Sequence, residues 1–205
     1  IISYENLYFA IQEVNKSHRW IAMGKPNQKV LWVENNINYC VEEIRNCIIN
    51  GFVPQPTLAK RRYDRNAKKW RDINEPRLYP DQYVHHALIQ VLEPIFMRGM
   101  DDFCCGSIKG RGTIYGAKKI EQWVRTDIKG TRWCGEFDIY HFYEQLTPAV
   151  VMKRMRKLIK DAKTLDLIER VMLNDVTIGA YFSQWFANVT LQELDHKLRE
   201  SGIDD

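Results

Sequence analysis

Apolar positions recur along this chain mainly at helical spacing. Ile37, Cys40, Val41, Ile44, Cys47 and Ile48 fall at i, i+3, i+4, and Gly51 follows as a stop. Asp81 is placed to open a helix through Val84, Ala87, Leu88, Val91, Leu92 and Ile95, with Pro94 bending or shortening its end. Thr113 is placed to cap a helix carrying Ile114, Ala117, Ile120, Trp123 and Val124. Thr147-Pro148 sets a cap residue before a proline at the first helical position. That helix has Val151, Met155, Leu158 and Ile159 on one face, and Lys153, Arg156, Lys157 and Lys160 on another. Thr164 is placed to open a shorter helix through Leu167, Ile168 and Val171. A last helix runs from about Ser183 to Glu200, with Gly202 beyond it.

Strand signals are fewer. Arg61 to Ile73 reads as a basic hairpin around Asp64-Arg65-Asn66. Arg132 to Ile139 reads as a strand that runs into an aromatic turn, Tyr140 to Tyr143. A second short strand is placed near Val176 to Ile178. The mix predicts an α+β protein with helices in the majority.

Composition narrows the class. The chain has 205 residues, of which 45% are apolar and 27% charged, so it can bury a sizeable core and is neither disordered nor collagenous. No run approaches the roughly 20 apolar residues of a membrane span. No basic segment followed by an apolar stretch marks Ile1 to Ala10 as a secretory signal. A cytoplasmic protein without membrane partners is expected. The chain lacks an initiator Met, which suggests a piece of a longer protein. Five cysteines (Cys40, Cys47, Cys104, Cys105, Cys134) form no CxxC pair, which fits a reducing compartment rather than a disulfide framework or zinc ribbon.

The net charge of +4 conceals an uneven distribution. Lys60 to Arg71 carries +6 and Val151 to Lys163 carries +5, so the remaining 180 residues carry −7. Such concentration suits a polyanion such as nucleic acid, and equally two solvated faces.

The segment with most chemical content is Phe137-Asp138-Ile139-Tyr140-His141-Phe142-Tyr143. A carboxylate ends an apolar strand and a tight aromatic turn follows. An unpaired Asp there needs a hydrogen bond, a cation or a metal. It either caps a turn beside core aromatics or holds magnesium in a polymerase-like site.

The wider chain resembles a reverse transcriptase, over the fingers and most of the palm. Arg71-Asp72-Ile73-Asn74-Glu75-Pro76 matches the R-x-I-x-x-P stretch of the fingers, and Tyr79 to Ala87 looks like the helix start that follows it. Gly106-Ser107-Ile108-Lys109-Gly110-Arg111-Gly112 resembles the basic, glycine-rich segment before the palm, and Phe137 to Tyr143 resembles motif A. With the segment at Ile178 to Gln184, these make five ordered segments over roughly 120 residues, far more specific than one. Ile178-Gly179-Ala180-Tyr181-Phe182-Ser183-Gln184 has Ile and Gln where most bacterial relatives carry Gln and Pro. This form, continuing as Trp185 to Asn188 and Leu194-Asp195-His196, is similar to enzymes of diversity-generating retroelements.

That resemblance implies a right-hand polymerase fold. Residues 1–130 would be helical fingers with an N-terminal extension and the basic hairpin. Residues 131–205 would be a partial palm, an antiparallel sheet packed on helices, with the thumb absent. It implies a nucleotidyltransferase, bacterial or phage-encoded, that copies template RNA into error-prone cDNA from dNTPs, in some cases with a small basic accessory protein. Asp138 would be catalytic and would bind Mg2+ with the Ile139 backbone carbonyl in a two-metal site. Arg71, Ile139, Tyr143, Ile178 and Gly179 would meet the nucleotide, with Tyr143 as the steric gate. Which of Arg65, Lys68 or Lys69 assists Arg71 stays open. Arg61, Arg62, Lys109, Arg111, Ser183 and Gln184 would meet nucleic acid, and a surface turn is the alternative for Lys109 and Arg111. Ile178 offers no hydrogen bond, which would loosen discrimination against a mispair, or it is a strand-end core residue.

The second carboxylate pair, the Y-x-D-D hairpin, is expected beyond Asp205, with Ile203-Asp204-Asp205 as a polar turn leading toward it. These 205 residues alone are therefore expected to lack polymerase activity. Alternatives are a group II intron maturase-like or retron-type enzyme, a non-catalytic nucleic-acid-binding palm, or a scaffold whose basic helix docks an acidic partner. His85-His86 reads as a helix surface or core edge, and Cys104-Cys105 as buried packing.

Overall fold

In a computed structural model of the chain, the described residues are 1–21, 24–64, 68–173, 176 and 179–200. Among them the order is α1 (Tyr4–His18), α2 (Gln28–Asn35), α3 (Ile37–Ile49), β1 (Leu58–Asp64), β2 (Lys69–Glu75), α4 (Tyr83–Met97), α5 (Thr113–Thr126), a one-turn α6 (Phe142–Gln145), α7 (Pro148–Leu158), α8 (Ala162–Met172) and α9 (Tyr181–Glu200). The expected α+β mix with helices in the majority is present.

The core is built around α4. Tyr83, Val84, Ala87, Leu88, Ile89, Leu92 and Phe96 are buried along it, so it is apolar nearly all round and must be covered on several sides. α1 packs on α4 and α3, α9 packs on α4, and α7 packs on α8 and α9. Burying each large apolar side chain contributes roughly 1.5–3 kcal/mol. Polar pins fix the helix pairs. Asn6 Nδ2 donates to the Ala87 carbonyl at 2.9 Å, and Tyr83 donates its hydroxyl to Asn15 Oδ1 at 2.7 Å. Buried Gln192 on α9 donates to the Phe96 carbonyl at 2.8 Å and accepts from Arg154 of α7 at 2.9 Å.

Local starts follow cap chemistry, with shifts. Thr147 caps α7 by accepting from the Val150 N–H, and Pro148 takes the first position as expected. α8 begins two residues before Thr164. Asp161 is the cap and accepts the Thr164 N–H at 2.8 Å. The carboxylate wins because Ala162 and Lys163 are good helix formers that extend the helix back to it. Gly112, not Thr113, precedes α5. Asp81 lies in a π-helical turn, Leu78–Gln82, that leads into α4, which continues through Pro94 to Met97. α9 begins at Tyr181, two residues before Ser183.

Two expectations about strands change. Residues 133–139 are not in a ladder. Trp133 and Phe137 are 92% and 94% exposed, because no strand among the described residues lies alongside to accept their backbone bonds or cover their faces. The expected palm sheet is therefore not formed among the described residues, whose one sheet is the β1–β2 hairpin. Val176 is buried, and the rest of the strand expected near Val176–Ile178 lies outside the described residues.

Candidate nucleic-acid interface

The hairpin is antiparallel as expected, pairing Lys60 with Ile73, Arg62 with Arg71 and Tyr63 with Trp70, while the turn residues lie outside the described set. Directly opposed residues share a face. One face therefore carries Leu58, Lys60, Arg62, Asp64, Lys69, Arg71, Ile73 and Glu75, and the other carries Ala59, Arg61, Tyr63, Trp70, Asp72 and Asn74. On the second face, Arg61 lies over the Trp70 ring at 5.7 Å and 3.7 Å from Asp72. On the first, Glu75 pairs with Lys60 and lies 3.9 Å from Arg62. Four cations against the two carboxylates Asp64 and Glu75 leave that face net positive, with Arg62 and Arg71 directly opposed.

The positive face also meets the Gly179 loop. Gly179 has φ +107°, and a Cβ there would collide with the Ile73 side chain and touch the Asn74 carbonyl at 3.6 Å. Glycine is required twice over: for its backbone, and for the close approach of the hairpin. Ile178, beside it, lies outside the described residues.

Three segments far apart in sequence meet at a line of hydrogen bonds. Tyr143 on α6 donates to Gln184 Oε1 on α9 at 2.9 Å. Gln184 Nε2 donates to Asn188 Oδ1 at 3.1 Å, one turn further along α9. Asn188 Nδ2 donates to the Gly106 carbonyl at 2.7 Å. Asn188 is buried and Tyr143 and Gln184 are half-buried. Burial raises the Tyr143 hydroxyl above the usual phenol range, so it stays a donor at neutral pH. The aromatic turn, the α9 start and the glycine-rich loop are thus tied together. The i, i+4 spacing of Gln184 and Asn188 places both on one face of α9 and is the signal in the sequence that could reveal this line.

Asp138 and Ile139 precede the turn in the exposed extended segment. No hydrogen bond or ion pair holds the Asp138 side chain among the described residues. His141 takes the left-handed conformation at φ 51° and pairs through Nδ1 with Glu144 at 2.6 Å, which closes the turn. Among the described residues no three His, Cys, Asp or Glu side chains converge on a metal position. The Asp138 carboxylate and Ile139 carbonyl are hard oxygen donors of the kind Mg2+ prefers, and they amount to part of a ligand set.

The remaining expected residues sit in different settings. Lys109 is exposed on a turn with Gly110 at φ +82°. Arg111 is half-buried and held by the Asp101 carbonyl at 2.8 Å and by Asp102 at 3.7 Å. Ser183 is 2% exposed, beneath the α9 surface. On α7, Arg154 and Lys157 both pair with Glu193 of α9, at 2.8 and 2.6 Å, so part of the second basic stretch is neutralised internally. His85 is not at a core edge. It is buried against Phe182, at 4.8 Å, and Phe52.

No family model matches the chain. Over 96 residues, 47% of the chain, it is 28% identical to "Nuclear intron maturase 1, mitochondrial" of Arabidopsis thaliana, covering 13% of that protein. Over 173 residues, 77% of the chain, it is 25% identical to "Protein YkfC" of Escherichia coli strain K12, covering 45% of that protein. The chain therefore spans less than half of each of these relatives. The distant likeness to an intron maturase loosely supports a reverse-transcriptase-like relationship, and no finer class. Among the described residues no helix is long and apolar enough to cross a membrane.

Proposed function

We propose that the chain forms the fingers and first part of the palm of a longer RNA-directed DNA polymerase, whose parent enzyme makes error-prone cDNA from the template RNA of a diversity-generating retroelement. The observation that carries this reading is the line Tyr143–Gln184–Asn188–Gly106. It gathers three segments that each resemble a separate reverse-transcriptase motif. A protein with only a chance match in one motif has no reason to bring all three together.

Each part then has a role. Arg71, on the positive hairpin face, binds the triphosphate of the incoming dNTP through its guanidinium fork. Arg62 and Lys60 extend that field toward template RNA. Gly179 lets the nucleotide loop close against Ile73. Tyr143, held by Gln184, presents its ring at a fixed height beneath the sugar. Asp138 and the Ile139 carbonyl would hold Mg2+, with a second carboxylate pair supplied by the rest of the parent protein. When bound, the metal lowers the pKa of the primer hydroxyl and neutralises charge on the leaving pyrophosphate. The exposed apolar segment around Trp133 and Phe137 is the surface that the strand carrying that pair would cover.

A second reading, an intron maturase-like enzyme, is favoured by the Arabidopsis relative. The experiment that tests both is cDNA synthesis by the parent protein on a defined RNA, followed by sequencing. Frequent misincorporation opposite template adenine supports the retroelement reading. Faithful synthesis supports the maturase-like one. No synthesis with Mg2+ and dNTPs, under conditions where the protein binds the RNA, contradicts both.

A further inference from the structure

The roles given to Lys60, Arg62 and Arg71 use one face of the hairpin. The other face, Ala59, Arg61, Tyr63, Trp70, Asp72 and Asn74, is exposed at every position. Its centre is aromatic. Tyr63 and Trp70 are directly opposed across the strands, with ring centroids 5.4 Å apart and planes at 65°. They remain 50% and 58% exposed. Arg61, two residues back along β1, lies over the indole at 5.7 Å from its centroid. Asp72 opposes Arg61 across the ladder and lies 3.7 Å from it.

A cross-strand aromatic pair steadies a two-stranded ribbon. That role leaves half of each residue's surface open to water. The residue types say what suits this surface. An indole, a phenol and a guanidinium are all flat, and all stack on flat π systems. The charge says what carries those π systems. Lys60 to Arg71 holds +6, which suits a polyanion. A polyanion with open π faces of its own is single-stranded nucleic acid, whose unstacked bases lie on aromatic and guanidinium planes. A duplex does not fit this mode, because its bases are stacked on one another. The ribbon is only two strands wide, with strands about 4.8 Å apart. A single strand that follows it sets bases on the rings and keeps its phosphates within the field of Lys60, Arg62 and Arg71.

We infer that the face formed by Tyr63, Trp70 and Arg61 is a base-stacking platform for unpaired RNA, with Trp70 as its main surface. The inference rests on the proposed RNA-binding role of the hairpin and not on metal chemistry at Asp138. Every base has a π face, so the platform holds the strand without reading its sequence. Trp70 and Arg71 are adjacent in β2 and lie on opposite faces of the ribbon. Stacking on the one therefore leaves the other free for phosphate.

The test compares two probes, each about twelve nucleotides long, on the 205-residue chain at two salt concentrations. One is an oligouridylate. The other is an abasic ribose oligomer with the same number of phosphates. Wild type is expected to bind the oligouridylate about fivefold or more tightly, the effect of one stacked base. Trp70→Ala is expected to bring the two affinities within about twofold and to leave the salt slope unchanged, since the phosphate contacts remain. In wild type labelled with fluorotryptophan, the Trp70 fluorine signal is assigned by its loss in Trp70→Phe. It is expected to shift with the oligouridylate and not with the abasic probe, which decides the matter even if Trp70→Ala does not fold. Equal affinity of wild type for the two probes, an undiminished preference in Trp70→Ala, or a Trp70 signal that neither probe moves would overturn the platform and leave the hairpin as a phosphate-binding element. No saturable binding of either probe would overturn the platform and the RNA role of the hairpin together. Neither result bears on Asp138, which primer extension tests separately.

Discussion

Tyr143 and Gln184 are 41 residues apart in sequence and joined by one 2.9 Å hydrogen bond. The bond sets the height of the aromatic turn against the start of α9. Tyr143→Phe removes the donor and leaves Gln184 Oε1 half-buried without it. The expected loss is about 1 kcal/mol of unfolding free energy in urea, and Gln184→Ala costs a similar amount. The pair should couple, so that the double variant is less destabilised than the sum. Strict additivity would mean that the two side chains do not interact.

Gly179→Ala should be among the most damaging small substitutions in the chain. It combines a left-handed φ of +107° with a collision at Ile73. Backbone strain alone costs about 1–3 kcal/mol. Adding Ile73→Ala removes the collision and not the strain, so it should restore part of the loss relative to Ile73→Ala by itself. A Gly179→Ala protein as stable as wild type would show that the loop does not press on β2.

Much of this arrangement is legible in the sequence where a local signal decides it. Thr147-Pro148 marks the start of α7 to the residue, and the turn signal Asp64-Arg65-Asn66 within the basic stretch Arg61 to Ile73 marks the hairpin. The segment 133–139 is different. Its alternating apolar residues say that it can pair, but a strand exists only with a partner, and none lies alongside among the described residues. Thr164 and Asp161 both suit a cap, and the choice depended on the helix-forming residues between them. His85 looks like a surface residue because it is polar, and only the packing of Phe52 and Phe182 around it reveals its burial. Tyr143, Gln184 and Gly106 are each visible as motif residues. Their meeting depends on α9 crossing α4, which no local pattern encodes.

The buried titratable groups give a signed dependence on pH. His85 and His86 are depressed to about 3 and about 4 by burial, so each withdraws stability as pH falls below its ordinary value of 6.5. Asp81 is raised from 3.8 to about 6, so it acts the other way: the stability it contributes is present below 3.8 and is lost as pH rises through 6. Between pH 6 and 4 the Asp81 gain offsets part of the histidine loss. Asp81→Asn removes that offset. Its stability should fall more steeply than wild type over this window, by up to about 1.4 kcal/mol per pH unit. Parallel curves would mean that Asp81 titrates as it does in the unfolded chain.

The positive hairpin face should dominate binding to RNA. Arg62→Ala and Arg71→Ala should each weaken affinity of the 205-residue chain for single-stranded RNA, and each should lower the slope of log affinity against log salt by about 0.7. Lys157→Ala should change the slope less, because Glu193 already pairs with that side chain. An equal effect of Lys157→Ala would move the RNA path from the hairpin to α7.

Asp138 is proposed to hold the metal of a nucleotidyl-transfer site. The most direct test of this is primer extension on an RNA template by the parent protein, wild type against Asp138→Asn, with RNA affinity measured alongside. The expected result is Mg2+-dependent extension by wild type, loss of at least about a thousandfold in rate for Asp138→Asn, and RNA affinity within about twofold, since removing a metal's ligand removes a transition-state term and not a binding one. Extension by Asp138→Asn at the wild-type rate would contradict it.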